Sequence, residues 1–318
     1  MSGQMIHLSA ARREGTLRGR AMQPHPMSVP ASPAAQAAVC TLCGGGEIVR
    51  LFVKAGWTFV RCAGCGLVAL CPAPTAAQLA AHHEASYRAG RYAVFAAAET
   101  VRTAVARYRL ANLRSLAPGG PWLDVGCSIG ALLAELAHDG IAAEGLELSA
   151  AAVAQARARG FVVHEGTVER FVPSRRYAVV SAFDLIEHLL DPAAFARHVR
   201  GWLLPAGVFV LTLPNATSVM ARLMGRRWYY HAPPDHVHGF TPETIRRLLE
   251  TTGWAAVTVR AARKPLTADY VVEQLAHSNP ALARIARGTT AIVPRRWRAR
   301  PWSLPLGEML VTARPAGS

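Results

Sequence analysis

The sequence predicts an α/β protein with a doubly wound parallel sheet, preceded by a small cysteine-rich module. Three observations support this prediction. Strand and helix candidates alternate from residue 122 onward, a glycine-rich turn joins the first strand to the first helix, and two Cys-x-x-Cys pairs lie nearer the N-terminus. Such alternation places parallel strands between layers of helices and directs ligands to the carboxyl ends of the strands.

Composition and charge restrict the class of protein. Of the 318 residues, 51% are hydrophobic and 17% are charged, which is enough for a sizeable core and argues against general disorder. The sequence has no apolar run of about 20 residues and no secretory signal pattern, so we expect a cytoplasmic protein with at most peripheral contact with a membrane. The net charge of +15 favours anionic partners, although an arginine-rich solvated surface is an equal alternative.

Four segments differ in composition. Residues 1–38 are rich in Ala, Pro, Ser, Met and Arg without periodicity, and we predict a disordered leader. Residues 39–75 contain the paired cysteines and are called the cysteine module below. Residues 76–116 have the pattern of a helical linker. The alternating domain follows, over residues 117–318.

The alternating domain contains seven strand candidates and four main helix candidates. The predicted strands are residues 122–127, 143–148, 161–164, 177–183, 207–213, 255–259 and 308–312. The predicted helices are residues 130–138, 150–159, 192–203 and 241–252. The last helix has the clearest start, because Thr241 is a favoured N-cap and Pro242 suits the first helical position.

The cysteine module has the spacing of a zinc site. Cys40 and Cys43 form one Cys-x-x-Cys pair, Cys62 and Cys65 form another, and 18 residues separate them. Two such pairs can complete a tetrahedral site of four thiolates, which leaves no open coordination position and predicts a structural zinc. The alternative is a set of buried or redox-active cysteines.

The glycine turn (residues 126–130) predicts a nucleotide-type ligand. Gly126 and Gly130 allow a sharp turn and a close approach of ligand to backbone. Glu147 ends the next strand, where a carboxylate can accept hydrogen bonds from ribose hydroxyls. S-adenosylmethionine and NAD both use this geometry, and the alternative for Glu147 is an exposed carboxylate at a helix start.

The residues of the turn resemble a known motif. Asp124-x-Gly126-x-Ser128-x-Gly130 resembles the first motif of class I S-adenosylmethionine-dependent methyltransferases, with Ser128 in place of the middle glycine. The G-x-G-x-x-G spacing of dinucleotide enzymes is missing. Residues 166–169 and 183–192 resemble later segments of that family and are particularly similar to its ubiquinone-biosynthesis O-methyltransferase branch, and residues 211–215 resemble the exit from its fifth strand. The resemblance covers roughly residues 115–260, and with the cysteine module it extends to a bacterial subset that carries an N-terminal zinc ribbon.

This resemblance implies a Rossmann-like methyltransferase sheet that binds S-adenosyl-L-methionine. It places the turn around the methionine part of the cofactor, Glu147 at the ribose, and Gly166 and Thr167 beside the adenine. It also places Asp184 and His188 along the methyl-transfer pocket. The implied cofactor-binding residues are Asp124, Gly126, Ser128, Gly130, Glu147, Gly166, Thr167 and Asp184.

Two segments contain candidate catalytic residues. Asp184, Glu187 and His188 are spaced to converge on one helical turn, where they could act as base and orienter or hold a divalent metal. The alternative is that they brace the next helix. Residues 228–240, the histidine segment, place aromatic side chains beside His231, His236 and His238, as in a pocket that grips and deprotonates a substrate. His236-x-His238 could also bind a metal.

Residues 220–228, which precede most of this segment, are apolar and basic. This pattern predicts a lid that lies against a membrane or binds a phosphate, and a plain packed helix is the alternative.

Three functions are consistent with these patterns. The first is O-methylation of a small-molecule, sugar-linked or lipid-linked acceptor, including anionic acceptors. The second is RNA methylation, in which the cysteine module and the basic patches bind RNA. Against it, the module has only three cations (Arg50, Lys54 and Arg61), and no Asn/Asp-Pro-Pro-aromatic motif follows the fourth strand. The third is a cofactor-binding regulator without catalysis.

Overall fold

A computed structural model of the chain describes residues 39–88, 98–114, 119–278 and 280–317. The predicted disordered leader, residues 1–38, lies outside the described residues, as do parts of the predicted helical linker. Within the linker, the structure has two helices, α1 (Ala76–Arg88) and α2 (Glu99–Leu113).

A seven-stranded sheet forms the centre of the alternating domain. Its strands in chain order are β4 (Trp122–Val125), β5 (Ala143–Glu147), β6 (Val163–Glu165), β7 (Tyr177–Phe183), β8 (Leu203–Pro214), β10 (Trp254–Leu266) and β11 (Trp302–Pro315). They lie in the order β10-β11-β8-β7-β4-β5-β6. Strands β4 to β8 pair in parallel, whereas β11 is antiparallel to both of its neighbours. The doubly wound sheet predicted from the sequence is therefore confirmed, as a mostly parallel sheet.

The reversed strand β11 departs from the all-parallel expectation for a physical reason. The chain leaves β10 at Leu266 and returns at Trp302, and these two residues are paired in the sheet. The connection thus begins and ends at the same end of the sheet, so the next strand must run in the opposite direction. Three helices that the sequence patterns did not predict occupy this connection: α8 (Ala268–Ser278), α9 (Pro280–Ala291) and α10 (Arg295–Arg298).

The other helices of the domain follow the predicted alternation. They are α3 (Ala131–His138), α4 (Ala150–Ala158), α5 (Pro192–Trp202), α6 (Val219–Met224) and α7 (Pro242–Thr251). The predicted cap of α7 is confirmed, because the Thr241 side chain accepts a hydrogen bond from the Thr244 amide and Pro242 begins the helix. A 3-10 turn over Gly225–Arg227 follows α6 within the predicted lid.

Strand β7 carries the centre of the core. All seven of its residues are buried, and large side chains of the neighbouring elements cover it. Its carboxyl end is therefore held in a fixed position, which matters because Asp184, Glu187 and His188 follow it directly. Among the described residues, no helix is long and apolar enough to cross a membrane.

A second, antiparallel sheet contains the cysteine module. Its strands are β1 (Ile48–Lys54), β2 (Trp57–Cys62), β3 (Val68–Leu70) and β9 (His238–Gly239), in that order. The first three strands come from the module, but β9 belongs to the histidine segment of the alternating domain. The sheet of the module is thus completed by residues from far along the chain.

Candidate active site and cysteine centre

The glycine turn follows β4 with three residues in left-handed backbone conformations. The φ angles are 76° at Gly126, 51° at Ser128 and 79° at Gly130. A Cβ atom at Gly130 would lie 2.7 Å from the ring of Phe161, so this position accepts only glycine without rearrangement. Ser128 occupies a conformation that glycine adopts more readily, which explains why glycine is expected there.

Glu147 ties this turn to the end of β5. Its carboxylate accepts hydrogen bonds from the backbone amides of Ser128 (2.9 Å) and Ser149 (2.8 Å). The side chain is half-buried, and its two oxygens retain lone pairs for further donors. The arrangement differs from a free surface carboxylate, since it both shapes the turn and leaves acceptor positions for a ligand such as a ribose diol.

Asp124 is the buried carboxyl beneath the turn. Its Oδ1 accepts a hydrogen bond of 2.6 Å from the Ser181 hydroxyl, which in turn accepts one of 2.9 Å from the Trp122 indole. Burial raises the pKa of Asp124 to about 6, although Ser181 and the charge of Arg109 oppose this shift. Asp124 can therefore change its charge close to neutral pH.

Gly166 and Thr167 complete the set at the third strand end. Both are half-buried, and the Gly166 amide donates a hydrogen bond of 3.0 Å to the Glu147 carbonyl. The ends of β4, β5 and β6 therefore bring together the predicted cofactor-binding residues other than Asp184. A turn with exposed Gly126 backbone beside a carboxylate with spare acceptors fits the amino-acid and ribose parts of S-adenosylmethionine.

Asp184 lies beside a different set of groups. Its φ angle is 52°, and its carboxylate accepts hydrogen bonds from Arg109 (2.7 Å), Lys264 (3.1 Å) and Thr212 (2.9 Å). Burial would raise the pKa of Asp184, but the two cations hold it well below its usual range. Lys264 also donates to Glu308 (2.7 Å), and the Tyr230 hydroxyl donates to the same carboxylate.

Sequence reasoning missed Arg109, Lys264 and Glu308 as functional neighbours of Asp184. Arg109 lies in the predicted linker, and Lys264 and Glu308 lie on the antiparallel strand pair. With Tyr108 and Asn112, they line a cavity of about 90 Å³. A local pattern could not have identified these contacts, because 44 to 80 residues separate the partners in the Lys264 and Arg109 ion pairs.

Glu187, His188 and His236 form a separate cluster after β7. Their ligand-capable atoms all lie within 4.8 Å of one another, and the two imidazole rings meet edge to face with centroids 4.5 Å apart. His188 Nδ1 lies 3.0 Å from the Asp235 carbonyl oxygen and 3.2 Å from its carboxylate. The structure thus brings together His188 and His236 but directs Asp184 away from them.

The protonation states within this cluster differ. Burial raises the pKa of Glu187 to about 8, and neither of its carboxylate oxygens has a hydrogen-bond partner among the described residues. Burial would lower the pKa of His188, but Asp235 and Glu187 outweigh it and raise the value to about 9. Burial and the neighbouring His188 lower the pKa of His236 to about 3. At neutral pH the cluster therefore pairs a cationic imidazole with a neutral one.

His231 and His238 lie at the cysteine module instead. The His231 ring packs against Phe52 and Phe59, with centroid distances of 5.0 Å to each. His238 is buried in the strand pair β3–β9, with Nε2 3.4 Å from the Thr41 hydroxyl. Burial lowers the pKa of each ring to about 4, so both are neutral at physiological pH. The four predicted catalytic histidines therefore divide into two pairs.

The four predicted metal-ligating cysteines converge on one centre. All four sulfur atoms lie within 4.8 Å of one another, with Cys40–Cys65 and Cys43–Cys62 separations of 3.5 Å. A tetrahedral ZnS4 site with zinc–sulfur bonds of about 2.3 Å requires sulfur separations of about 3.8 Å. The geometry is thus compatible with a zinc module.

The two cysteine pairs also share one backbone pattern. The amide of Gly44 donates to the Cys40 carbonyl, and the amide of Gly66 donates to the Cys62 carbonyl, each at 2.9 Å. Both glycines have positive φ angles, 72° and 83°. Equivalent turns therefore present both pairs of sulfur atoms to the common centre.

The buried carboxyl of Asp124 generates a prediction for stability. The folded protein retains its proton up to about pH 6, whereas the unfolded chain loses it near 3.8. The free energy of unfolding should therefore fall as pH rises across this window, by up to about 1.4 kcal/mol per pH unit. Asp124→Asn should remove this component. Urea unfolding at pH 4–7 without cofactor would test it, and identical pH dependences for variant and wild type would contradict it.

Comparison with known proteins agrees with this geometry. A family model described as a methyltransferase domain matches residues 97–259. The ubiquinone biosynthesis O-methyltransferase of Sodalis glossinidius is 28% identical over 176 residues, covering 52% of this chain and 67% of that protein. Its namesake from Bradyrhizobium diazoefficiens is 27% identical over 163 residues, covering 47% of this chain and 64% of that protein. The chain thus spans about two thirds of the length of these relatives.

Solved methyltransferase structures are more distant. A S-adenosylmethionine-dependent methyltransferase from Thermotoga maritima aligns with a TM-score of 0.49 at 15% identity, over 73% of this chain and 99% of that one. One from Archaeoglobus fulgidus aligns with a TM-score of 0.47 at 18% identity, over 67% and 94%. The family model, in contrast, matches just over half of the 318 residues, and the chain therefore belongs to the methyltransferase-domain family and is a S-adenosylmethionine-dependent methyltransferase.

Proposed function

We propose that the protein transfers the methyl group to an oxygen atom of a small-molecule, sugar-linked or lipid-linked acceptor. The observation that carries this proposal is the contact between two imidazoles, His188 after β7 and His236 in the histidine segment, whose ring centroids lie 4.5 Å apart. An oxygen nucleophile must lose a proton, and a positioned imidazole can accept it. The names of the related ubiquinone biosynthesis O-methyltransferases support the same reaction class.

The cofactor would lie across the ends of β4, β5 and β6. The glycine turn would surround its methionine part with Asp124 beneath, Glu147 would accept hydrogen bonds from the ribose, and Gly166 and Thr167 would border the adenine. The bound cofactor supplies an electrophilic methyl group on a sulfonium. The protein's contribution is then to place the acceptor oxygen in line with that methyl group and to exclude water.

Within this proposal the two histidines have different roles. His236 is neutral, so its lone pair can orient the acceptor hydroxyl, and it becomes a competent base when the negative charge that develops on the acceptor raises its pKa from about 3. His188 is cationic and held by Asp235, so it can stabilise the negative charge that develops on the oxygen. Tyr230 stacks on His236 with a centroid distance of 5.7 Å and shields it. A divalent cation bound by Glu187, His188 and His236 is the alternative use of the same atoms.

The exposed surface of α6 suits a lipid-linked acceptor. Leu223 and Val219 on α6 are 79% and 65% exposed, and Trp297 and Trp302 are also exposed. Arginines at residues 222–227 and 295–300 lie among these side chains. Aliphatic groups interspersed with cations, as on α6, are typical of surfaces that lie against anionic lipid. The stacked rings of Trp297 and Trp302 beside Arg300 are instead a surface on which nucleic-acid bases could stack. Profiling metabolites, lipids and RNA of a deletion strain with labelled methyl donor would separate these acceptors.

The first prediction from this function concerns the ribose. Glu147→Gln should weaken S-adenosylhomocysteine binding about tenfold to a hundredfold, because hydrogen bonds to a charged acceptor contribute roughly 1.5–3 kcal/mol. Isothermal titration calorimetry measures this directly. Glu135→Gln is the matched control, since Glu135 on α3 forms an ion pair with the exposed Arg107. Equal affinities for wild type and Glu147→Gln would refute the assignment.

The second prediction concerns the imidazole pair. His236→Ala and His188→Ala should each reduce kcat by about 10²–10⁴-fold towards the identified acceptor, with cofactor affinity retained. His138→Ala, at an 80% exposed side chain on α3, should leave kcat unchanged. The idea fails if both cluster variants keep wild-type kcat. Activity that disappears with chelator and returns with a divalent cation would instead favour the metal-binding alternative.

The third prediction concerns the cysteine centre, for which we propose a structural zinc. Elemental analysis of untreated protein should give about one zinc per chain, because four thiolates close the coordination sphere. Cys62→Ser should lower the zinc content and destabilise the cysteine module more than it weakens cofactor binding. A folded, untreated protein without zinc would exclude this site.

A further inference from the structure

We propose that the cysteine module acts as a positioning element for the acceptor side of the active site, and that His231 is its key positioning residue. The module would hold the histidine segment (residues 228–240) in the conformation that places His236 beside His188. His231 would thus act through the segment rather than on a substrate. The inference rests on the proposed function only in taking this segment as the acceptor side.

The first support is a continuous main-chain connection. Strand β3 of the module pairs with β9, matching Val68 with Gly239 and Ala69 with His238. The Leu70 amide also donates a hydrogen bond of 3.0 Å to the carbonyl of Val237. Residues 237–239 are therefore held by a strand of the module, directly after His236.

A second connection holds the beginning of the segment. Phe52 and Phe59 of the module stack with centroids 4.8 Å apart, and the His231 ring lies 5.0 Å from each. Lys54 donates a hydrogen bond of 3.1 Å to the Trp228 carbonyl, and the buried Trp228 ring contacts His231 at 5.1 Å. The module thus contacts the segment near both of its ends, at residues 228–231 and at residues 237–239.

The residues between these two connections are those of the proposed active site. Asp235 holds the His188 ring, Tyr230 stacks on His236, and the Val237 amide donates a hydrogen bond of 2.9 Å to the Glu187 carbonyl. The segment therefore bridges the module and the turn after β7. If the module released it, Asp235 and His236 would lose their fixed positions relative to His188.

The cysteine centre lies next to the same region. The hydroxyl of Thr41, which lies between Cys40 and Cys43, is 3.4 Å from Nε2 of His238 in the segment. The glycine turn, by contrast, is held by Glu147 and by backbone bonds to Leu146 on β5. Loss of the module should therefore loosen the histidine segment before the cofactor turn.

Hydrogen exchange of the full-length protein tests this coupling without any acceptor. His231→Ala should accelerate amide exchange in residues 228–239 about tenfold or more, because the ring that fills the Phe52–Phe59 site is lost. His231→Phe should restore near wild-type exchange, since it retains an aromatic ring there. Exchange in β4 and β5, and the affinity for S-adenosylhomocysteine, should stay within about twofold in both variants.

A second variant keeps the proposal testable if His231→Ala fails to fold. Lys54→Met removes the hydrogen bond to the Trp228 carbonyl but keeps an apolar side chain, and it should accelerate exchange in the same segment. The control is Arg50→Met, on the exposed side of β1, which should leave the exchange of this segment unchanged. Unchanged exchange in residues 228–239 for both His231→Ala and Lys54→Met would overturn the proposal. Equal acceleration throughout β4 and β5 would overturn it as well, because His231 would then support global stability alone. Either failure leaves the proposed methyl transfer untouched.

Discussion

The ion pairs of Asp184 set the geometry on which the active site depends. This residue leaves β7 with a left-handed backbone conformation, and Arg109 and Lys264 neutralise its half-buried charge. A buried carboxylate without such partners would be strongly destabilising. The Asp184 carboxylate pairs with Arg109 on α2 and Lys264 on β10, whereas Glu187 and His188 contact the histidine segment. Tyr230 connects the two groups, because its hydroxyl donates to Glu308 and its ring stacks on His236.

Closely spaced ionisable groups of the site keep different charges. His188 is stabilised as a cation by Asp235, while the buried His236 beside it stays neutral. Burial raises the pKa of Glu187 to about 8, and no hydrogen-bond donor within the described residues compensates. Groups with opposed pKa shifts at contact distance can divide the tasks of accepting a proton and stabilising charge.

The sequence predicted those features that depend on local patterns. The order of strands and helices, the start of α7 at Thr241 and the convergence of four cysteines all follow from periodicity, capping preference or spacing. The features that it did not predict include the reversed direction of β11, the pairing of β9 with β3, the partners of Asp184, and the separation of His231 and His238 from His236. Each depends on contacts between residues 28 or more positions apart, which a local pattern does not encode. Three histidines within eight residues looked equivalent because their neighbours in space were unknown.

The position of the histidine segment gives the cysteine module a role that its composition does not suggest. The module has few cations, so it has little to attract an anionic ligand. Its aromatic pair, Phe52 and Phe59, is an apolar surface, and its edge strand β3 offers backbone hydrogen bonds. Both suit contact with another part of the same chain. An isolated strand of two residues, such as β9, has too few hydrogen bonds to hold its own conformation. It gains order by joining a sheet whose other strands are closed by the cysteine centre. The cysteine centre can therefore restrict the position of His236, because the backbone of residues 237–239, which directly follow it, is hydrogen-bonded to β3 of the module.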